Sequence, residues 1–281
     1  MSIPLLNGSG CLDALTAPGV ASQLDAFVTK TITPAPREGN PPVRITETEA
    51  GMLNSIGLQG PGIDGFLTNT LPRLAAQSLR IWVSVGGFSA SDFACICERL
   101  DGLADVAVVE LNLSCPNVEE APESSAQIVA ACRSRTSTSL YAKLSPANAD
   151  IAESAKAVVA AGADGLTLVN TLRGMALDPL TLKPKLARGF GGYSGPALKP
   201  VALACISACA QAVDVPIVGL GGVQSGQDAL ELVAAGASVV ALGTILFSDP
   251  AAPDRIRSEL VAEATRRGYA DPLDALSVAN S

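Results

Sequence analysis

A cysteine between two asparagines stands near the middle of the chain, in the segment ELNLSCPN (110–117). A short apolar run leads into this segment, so its polar side chains stand where a buried strand ends. The Cys115 thiol becomes a usable base when a nearby cation lowers its pKa, and Lys30 is a candidate for that cation. The alternative is an inert buried thiol, which is the common fate of cysteine.

Four asparagines offer hydrogen-bond donors and acceptors without charge: Asn54, Asn112, Asn117 and Asn170. Together they could read a flat ring that bears amide groups. The chain has no histidine, which excludes a Ser-His-Asp triad, a Cys-His pair and a histidine-held catalytic zinc. Acid–base chemistry must therefore fall to Cys, Lys, Tyr or carboxylates, and we expect no metal site.

Two glycine-containing turns predict a phosphate site. Gly221 and Gly222 follow an apolar run and precede a helix that starts near Ser225, and Gly243 and Thr244 follow the last apolar run. Glycines let backbone N–H groups approach an anion, and helix N-termini favour negative charge. The alternative is a pair of ordinary tight turns. Lys143, at the end of another run, could stabilise charge on a bound cofactor or form a structural ion pair.

Eight short apolar runs, several followed by helix-like stretches, organise the chain. They are 3–6, 26–29, 81–85, 106–113, 140–144, 165–169, 216–220 and 239–243. Helices are predicted at 152–161, 197–213, 225–235 and 251–267. This alternation predicts a single α/β domain over 1–281, a (β/α)8 TIM barrel, with a doubly wound open sheet as the alternative. The polar residues above fall at strand ends, where barrel active sites form, and the long segment 31–79 is expected to build part of that face.

Composition narrows the class of protein. Hydrophobic residues make up 48% of the 281 and the net charge is −8, with no basic block, which argues against nucleic-acid binding. No apolar run reaches membrane-spanning length and the N-terminus lacks signal-peptide features, so we expect a cytoplasmic protein without a membrane anchor. The odd count of seven cysteines argues against a disulfide framework.

A set of motifs, in order over almost the whole chain, resembles class 1 dihydroorotate dehydrogenases. The motifs are TKTITPAPREGNPP (29–42), AGMLNSIGLQGPG (50–62), ELNLSCPNV (110–118), KLSP (143–146), LVNT (168–171), GGYSGPALKP (191–200) and the two glycine turns. The resemblance implies an FMN-dependent barrel oxidoreductase that converts dihydroorotate to orotate in pyrimidine (UMP) biosynthesis. It makes Cys115 the base that removes the C5 proton while the C6 hydride passes to flavin N5.

The resemblance also implies two sets of binding residues. Substrate-binding positions are Lys30, Asn54, Ser55, Ile56, Gly57, Leu58, Asn112, Asn117, Asn170 and Thr171. FMN-binding positions are Ser9, Lys30, Thr31, Ser84, Asn112, Lys143, Val169, Gly195, Gly221, Gly222, Gly243 and Thr244, with the phosphate on the last four.

The first two of these motifs resemble the NAD-linked subclass, in which a separate subunit carries FAD and an iron–sulfur cluster. We therefore expect a homodimer, or a heterotetramer with such an electron-transfer subunit. Two departures from the family are a start without leading hairpin strands and a shortened loop after Cys115. Two alternatives stay open: a flavin reductase of another cyclic amide such as a dihydropyrimidine, and a catalytically weak binding subunit.

Overall fold

The computed structural model describes residues 3–113 and 124–280, which fold into a barrel of eight parallel strands with helices around it. The described strands are β1 (Leu5–Asn7), β2 (Phe27–Val28), β3 (Ile45–Thr48), β4 (Gly51–Asn54), β5 (Ile81–Val85), β6 (Val106–Asn112), β7 (Ser139–Leu144), β8 (Gly165–Leu168), β9 (Leu172–Gly174), β10 (Gly191–Ser194), β11 (Ile217–Leu220) and β12 (Val239–Leu242). The barrel order is β1-β12-β11-β8-β7-β6-β5-β2. Each of the eight predicted apolar runs contains or overlaps one barrel strand, so the barrel prediction is confirmed.

The ring closes between β1 and β2 through few backbone contacts. A parallel bridge joins Leu6 to Ala26. Beside it, the buried Asn7 side chain takes the place of a neighbouring strand: its amide donates to the Val28 carbonyl and accepts from the Val28 N–H, both at 2.8 Å. An asparagine amide has the same donor and acceptor as a peptide group, which is why it can complete the ladder.

Helices cover the outside of the barrel. Among the described residues they are α1 (Pro18–Ala21), α2 (Gly62–Gly65), α3 (Leu71–Ala75), α4 (Ala90–Leu100), α5 (Ser125–Arg133), α6 (Ile151–Ala160), α7 (Lys199–Ala210), α8 (Gly226–Ala235) and α9 (Ala252–Arg266), with a π-helical turn at Phe66–Thr70. Side chains of Ser89, Ser124, Asp150 and Ser225 cap four of them. The helix predicted at 197–213 is shorter, because a 3-10 turn at Pro196–Leu198 precedes α7.

Two apolar layers hold the barrel together. The larger fills the space between the strands and the helices. The smaller fills the barrel interior around Trp82, whose ring lies 4.7 Å from that of Tyr141. Because successive side chains of a strand point to opposite sides, seven of the barrel strands contribute to both layers, whereas β8 contributes apolar side chains only to the larger one. This explains why the strands are continuous apolar runs.

A second, four-stranded antiparallel sheet was not predicted. Its order is β3-β4-β10-β9. The hairpin β3–β4 comes from the long segment 31–79, and β9 and β10 come from the connection between β8 and α7. Both connections follow a barrel strand, so the small sheet stands at the carboxyl end of the barrel. Its strands are short, glycine-rich and half-exposed, which leaves no apolar run to detect.

Candidate active site

Polar side chains replace apolar ones toward the carboxyl end of the barrel interior. Each of three buried polar residues stands two positions beyond an interior residue of its strand: Ser84 after Trp82, Glu110 after Val108, and Lys143 after Tyr141. The two-residue period of a strand keeps them on the interior side. The interior is thus apolar at one end and polar at the other, where the connections to the helices begin.

A chain of hydrogen bonds crosses the barrel mouth through five of the predicted positions. The hydroxyls of Ser84 and Thr31 lie 3.1 Å apart, and Asn112 donates its amide to the Thr31 hydroxyl at 3.2 Å. Asn170 donates to the Asn112 amide oxygen at 2.9 Å and accepts from the backbone N–H of Thr171 at 2.8 Å. These bonds fix the side-chain amides of two strand ends in one orientation before any ligand arrives.

A buried ion pair lies beside this chain. The Lys143 ammonium is 3.6 Å from Glu110 Oε1 and donates to the Ser9 hydroxyl at 3.3 Å. The pairing of β6 with β7 puts Lys143 opposite Asn112, so the ion pair and the amide chain share one end of the barrel. The predicted cofactor positions Ser9 and Lys143 are therefore brought together with Asn112.

Lys30 and Cys11 lie near the ion pair, and burial shifts the pKa of both side chains. Burial lowers the pKa of Lys30, and the nearby charge of Lys143 lowers it further. Burial raises the pKa of the Cys11 thiol, although both lysines act in the opposite direction. The two residues line an open cleft of about 620 Å³, whose walls are Gly10, Cys11, Leu12, Asp13, Lys30, Ile56, Gln59, Leu246 and Phe247.

The segment that begins at Asn54 lies at the edge of this cleft. Asn54 ends β4 and donates to the Gly192 carbonyl at 3.4 Å. The buried hydroxyl of Ser55 has no hydrogen-bond partner among the described residues, which leaves it available to a ligand. Leu58 has a φ of +56°, a left-handed conformation that is rare for a bulky residue. Such strain is typical of backbone held in place for function.

The small sheet reaches the amide chain through a close glycine contact. A Cβ on Gly192 would lie 2.1 Å from the Thr171 hydroxyl oxygen, so no larger residue fits there without movement. The carbonyl of the same glycine accepts the bond from Asn54. One residue of β10 thus joins the two predicted substrate segments.

The turn after β11 only partly matches the expected phosphate site. Gly221 and Gly222 have φ values of +141° and +75°, and a Cβ on either would clash with the start of α7. At the start of α8, the N–H groups of Gln224 and Ser225 already donate to the Asp228 carboxylate, so these two groups are occupied within the chain. Within residues 3–113 and 124–280, the N–H groups of Gly222 and Val223 have no such acceptor, so they stay free for an anion.

Four further predicted FMN positions are Gly243, Thr244, Val169 and Gly195. Gly243 and Thr244 follow β12, and a Cβ on Gly243 would meet open space apart from one contact at 3.8 Å with Leu220. Val169 is buried just beyond β8. Gly195 has a φ of +125°, and its Cβ would lie 2.5 Å from the backbone of Gly51, so its small size serves the small sheet.

Two predicted positions lie outside the described residues. Cys115 and Asn117 belong to the segment 114–123, together with most of the loop that the family resemblance predicts to be shortened. The strand that leads to them ends at Asn112, whose hydrogen bonds are given above. Their assignment remains a prediction.

Sequence reasoning missed Glu110, Asn7 and Cys11. Glu110 carried a detectable signal, because a charged residue in an apolar strand, two positions before Asn112, must point into the barrel. Asn7 ends β1 and Cys11 follows that strand, and neither residue stands in a comparable pattern. The described residues contain no group of three or more His, Cys, Asp or Glu side chains arranged to hold a metal ion.

The fold and the site together define a class: a (β/α)8-barrel protein with a preorganised polar pocket at the carboxyl ends of its strands. The family model for dihydroorotate dehydrogenase matches residues 2–263. The chain belongs to the dihydroorotate dehydrogenase family, and it is therefore an oxidoreductase. None of the helices within the described ranges has the length and hydrophobicity needed to cross a bilayer.

Individual relatives agree with this assignment. The dihydroorotate dehydrogenase B (NAD(+)) catalytic subunit of Trichlorobacter lovleyi is 44% identical over 256 residues, covering 89% of this chain and 84% of the relative. The subunit of the same name from Listeria innocua is 42% identical over 267 residues, covering 92% and 88%. The crystal structure of Eimeria tenella DHODH in complex with ferulenol superposes with a TM-score of 0.79 at 22% identity, covering 98% of this chain and 85% of that one, which supports the fold.

Proposed function

We propose that this chain binds FMN at the barrel mouth and oxidises dihydroorotate to orotate, as a step of pyrimidine biosynthesis. The observation that carries the proposal is the hydrogen-bonded chain of amides and hydroxyls beside Lys30 and Lys143. A bound FMN would supply a two-electron acceptor for the hydride that leaves C6 of the substrate. The chain's own residues bind, orient and deprotonate the substrate.

The residues at the mouth fit a flavin mononucleotide. Lys143 offers a buried positive charge, and Ser9, Thr31, Ser84 and Asn112 offer neutral hydrogen-bonding groups around it. Such a set suits the polar edge of an isoalloxazine ring. The free N–H groups in the turn after β11, with the open space beside Gly243, suit a phosphate.

The substrate assignment depends on amides and one cation. Dihydroorotate is a cyclic ring with two ring N–H groups, two carbonyls and a carboxylate. The amides of Asn54, Asn112 and Asn170 can pair with such a ring, because each has a donor and an acceptor. Lys30 is available for the carboxylate, and this favours dihydroorotate over a neutral dihydropyrimidine.

Removal of the C5 proton requires a base, and we assign this role to Cys115. The chain lacks histidine. Cys11 also faces the two lysines, but burial raises the pKa of its thiol, which makes it a poor base. In the sequence, Cys115 comes three residues after Asn112, which ends β6 at the barrel mouth.

We further propose a separate electron-transfer subunit that carries FAD and an iron–sulfur cluster and delivers electrons to NAD. The names of the relatives from Trichlorobacter lovleyi and Listeria innocua contain both "NAD(+)" and "catalytic subunit". This chain has no four-cysteine spacing of the ferredoxin type, so the cluster would have to reside elsewhere.

Anaerobic flavin bleaching tests the proposal. The purified chain is reconstituted with FMN and mixed with dihydroorotate or with a neutral dihydropyrimidine, and the flavin absorbance is followed. We expect dihydroorotate alone to bleach the flavin. Bleaching by the neutral ring alone would reassign the substrate, and tight orotate binding without bleaching would indicate a binding subunit. A folded chain that binds no FMN would refute the proposal.

A further inference from the structure

Glu110 is a buried charge for which the proposed reaction has no direct use. It lies inside β6, and its side chain is 3% exposed. Burying an ionised carboxylate is costly unless an opposite charge or several donors compensate for it. Its presence in an otherwise apolar strand therefore calls for a partner.

Lys143 is that partner, and the contact is electrostatic. Its ammonium lies 3.6 Å from Glu110 Oε1, beyond hydrogen-bonding distance, and its own side chain is 5% exposed. Glu110 Oε1 accepts no hydrogen bond from any described residue. The lysine donates to Ser9 at the mouth instead. The carboxylate thus lies inside the barrel, and the ammonium lies between it and the mouth.

Positive charges outnumber negative charges around the mouth. Lys30 and Lys143 are close enough for each to affect the ionisation of its neighbours, and the Glu110 charge acts on the same surroundings. Two positive charges and one negative charge therefore share a poorly solvated region, where Coulomb interactions are stronger than in water. Removing the negative charge would leave the region more positive and favour any group that gains electrons there.

We propose that Glu110 is a positioning residue that draws the Lys143 ammonium toward the barrel interior and offsets its charge, and that it thereby lowers the reduction potential of the bound flavin. The inference rests on the proposed FMN site. Lys143 touches the cofactor and Glu110 acts through it. A lower potential limits how strongly the oxidised flavin draws electrons, which favours passing them on to an acceptor.

The test is the midpoint potential of bound FMN in the reconstituted protein, measured against reference dyes. In Glu110→Gln, which keeps the size and removes the charge, we expect a more positive potential. The equilibrium constant for two-electron reduction should rise at least about tenfold, or about 30 mV. Glu153→Gln is the matched control, because it makes the same change in an exposed ion pair with Lys156. Its potential should equal that of the unmodified protein.

A second variant, Glu110→Asp, tests the same inference if Glu110→Gln fails to fold. Glu110→Asp keeps the charge but moves it away from Lys143 by one methylene, so its potential should shift in the same direction by less. An unchanged or more negative potential in either variant overturns the inference. Loss of FMN from both variants also overturns it, because Glu110→Asp keeps the charge and its loss of FMN would show that Glu110 acts by filling space in the site. Failure of the unmodified protein to bind FMN refutes the proposed function itself, which is a distinct result.

Discussion

At the scale of single residues, the site combines preorganised amides with perturbed ionisable groups. Asn112 is held by Thr31 and Asn170 before a ligand binds. Preorganisation of this kind reduces the reorganisation that a reaction requires. Two residues, Lys30 and Cys115, give the most direct tests of the assigned roles.

Replacing the proposed base should slow flavin reduction. A serine hydroxyl is a far weaker base than a thiol near neutral pH, so Cys115→Ser should lower the rate by about 10² to 10⁴-fold. Stopped-flow flavin absorbance with dihydroorotate measures this rate. Cys95→Ser is a suitable control, because Cys95 is exposed on α4. A rate in Cys115→Ser equal to that of the control would show that Cys115 is not the base.

The lowered pKa of Lys30 predicts a pH dependence of orotate binding. Protonated Lys30 attracts the orotate carboxylate, and its pKa lies below the usual 10.5 because of burial and Lys143. The positive charge of Lys30 is present below this lowered pKa and is lost as the pH rises through it. Orotate affinity should therefore fall at a lower pH than a solvated lysine would allow.

The measurement is the orotate dissociation constant as a function of pH, read from the flavin spectrum. Lys30→Arg is the comparison, because a guanidinium keeps its charge over this range. The arginine variant should lose less affinity at alkaline pH, and it also controls for titration of the ligand. An identical alkaline loss in both proteins would show that another group is responsible.

At the scale of elements, the small antiparallel sheet links the two substrate segments. Strand β10 pairs with β4 and β9, and its Gly192 contacts both Asn54 and Thr171. The sheet thus connects two segments that we propose to bind substrate, and it stands at the carboxyl end of the barrel. Its effect on binding can be tested without touching a proposed ligand contact.

Gly192→Ala should weaken orotate binding. Its Cβ would lie 2.1 Å from the Thr171 hydroxyl oxygen, so Thr171 or β10 must shift. Overpacking of this kind costs about 1–3 kcal/mol, and a loss in binding free energy of that size weakens binding by about five- to a hundredfold. Orotate titration measures the loss, with circular dichroism to verify the fold. Gly19→Ala is the control, since nothing lies within 4 Å of its Cβ. Equal affinities in both variants would contradict the link.

At the scale of the whole molecule, side chains contribute to the closure of the barrel: Asp25 accepts from the Leu5 N–H at 2.7 Å, and Asn7 bonds to Val28. The join between β1 and β2 has a single backbone bridge, and Asn7 supplies two further bonds to Val28. The mouth of the barrel includes residues that follow both strands, Ser9 and Lys30. Stability and site geometry are therefore coupled at this join.

Asn7→Ala should lower the free energy of unfolding by about 2–4 kcal/mol, because the N–H and C=O of Val28 lose their partners. Urea unfolding measures the change. Asn69→Ala is the matched control, because Asn69 is exposed in the helical stretch after α2 and should shift the value by about 0.5 kcal/mol or less. Equal effects of the two substitutions would show that the Asn7 bonds do not stabilise the closure.

Much of the molecule follows from the sequence, and the exceptions share one cause. The eight barrel strands are apolar runs buried on both faces, and helices such as α6 and α8 have local caps, so local pattern suffices for them. The small sheet, the Asn7 closure and the Glu110–Lys143 pair join residues far apart in the chain. No local pattern encodes which distant partner a side chain will meet.

The sequence by itself determined the barrel, the placement of polar residues at its strand ends and the family motifs, because hydrophobic periodicity and short motifs are local properties. Only the tertiary structure decided that Asn112 lies between Thr31 and Asn170, and that the Asp228 carboxylate accepts the N–H of Gln224 just before α8. It also decided that Gly192 joins the two substrate segments. These contacts depend on strand register and on the approach of separate connections, and both are set by packing of the whole chain.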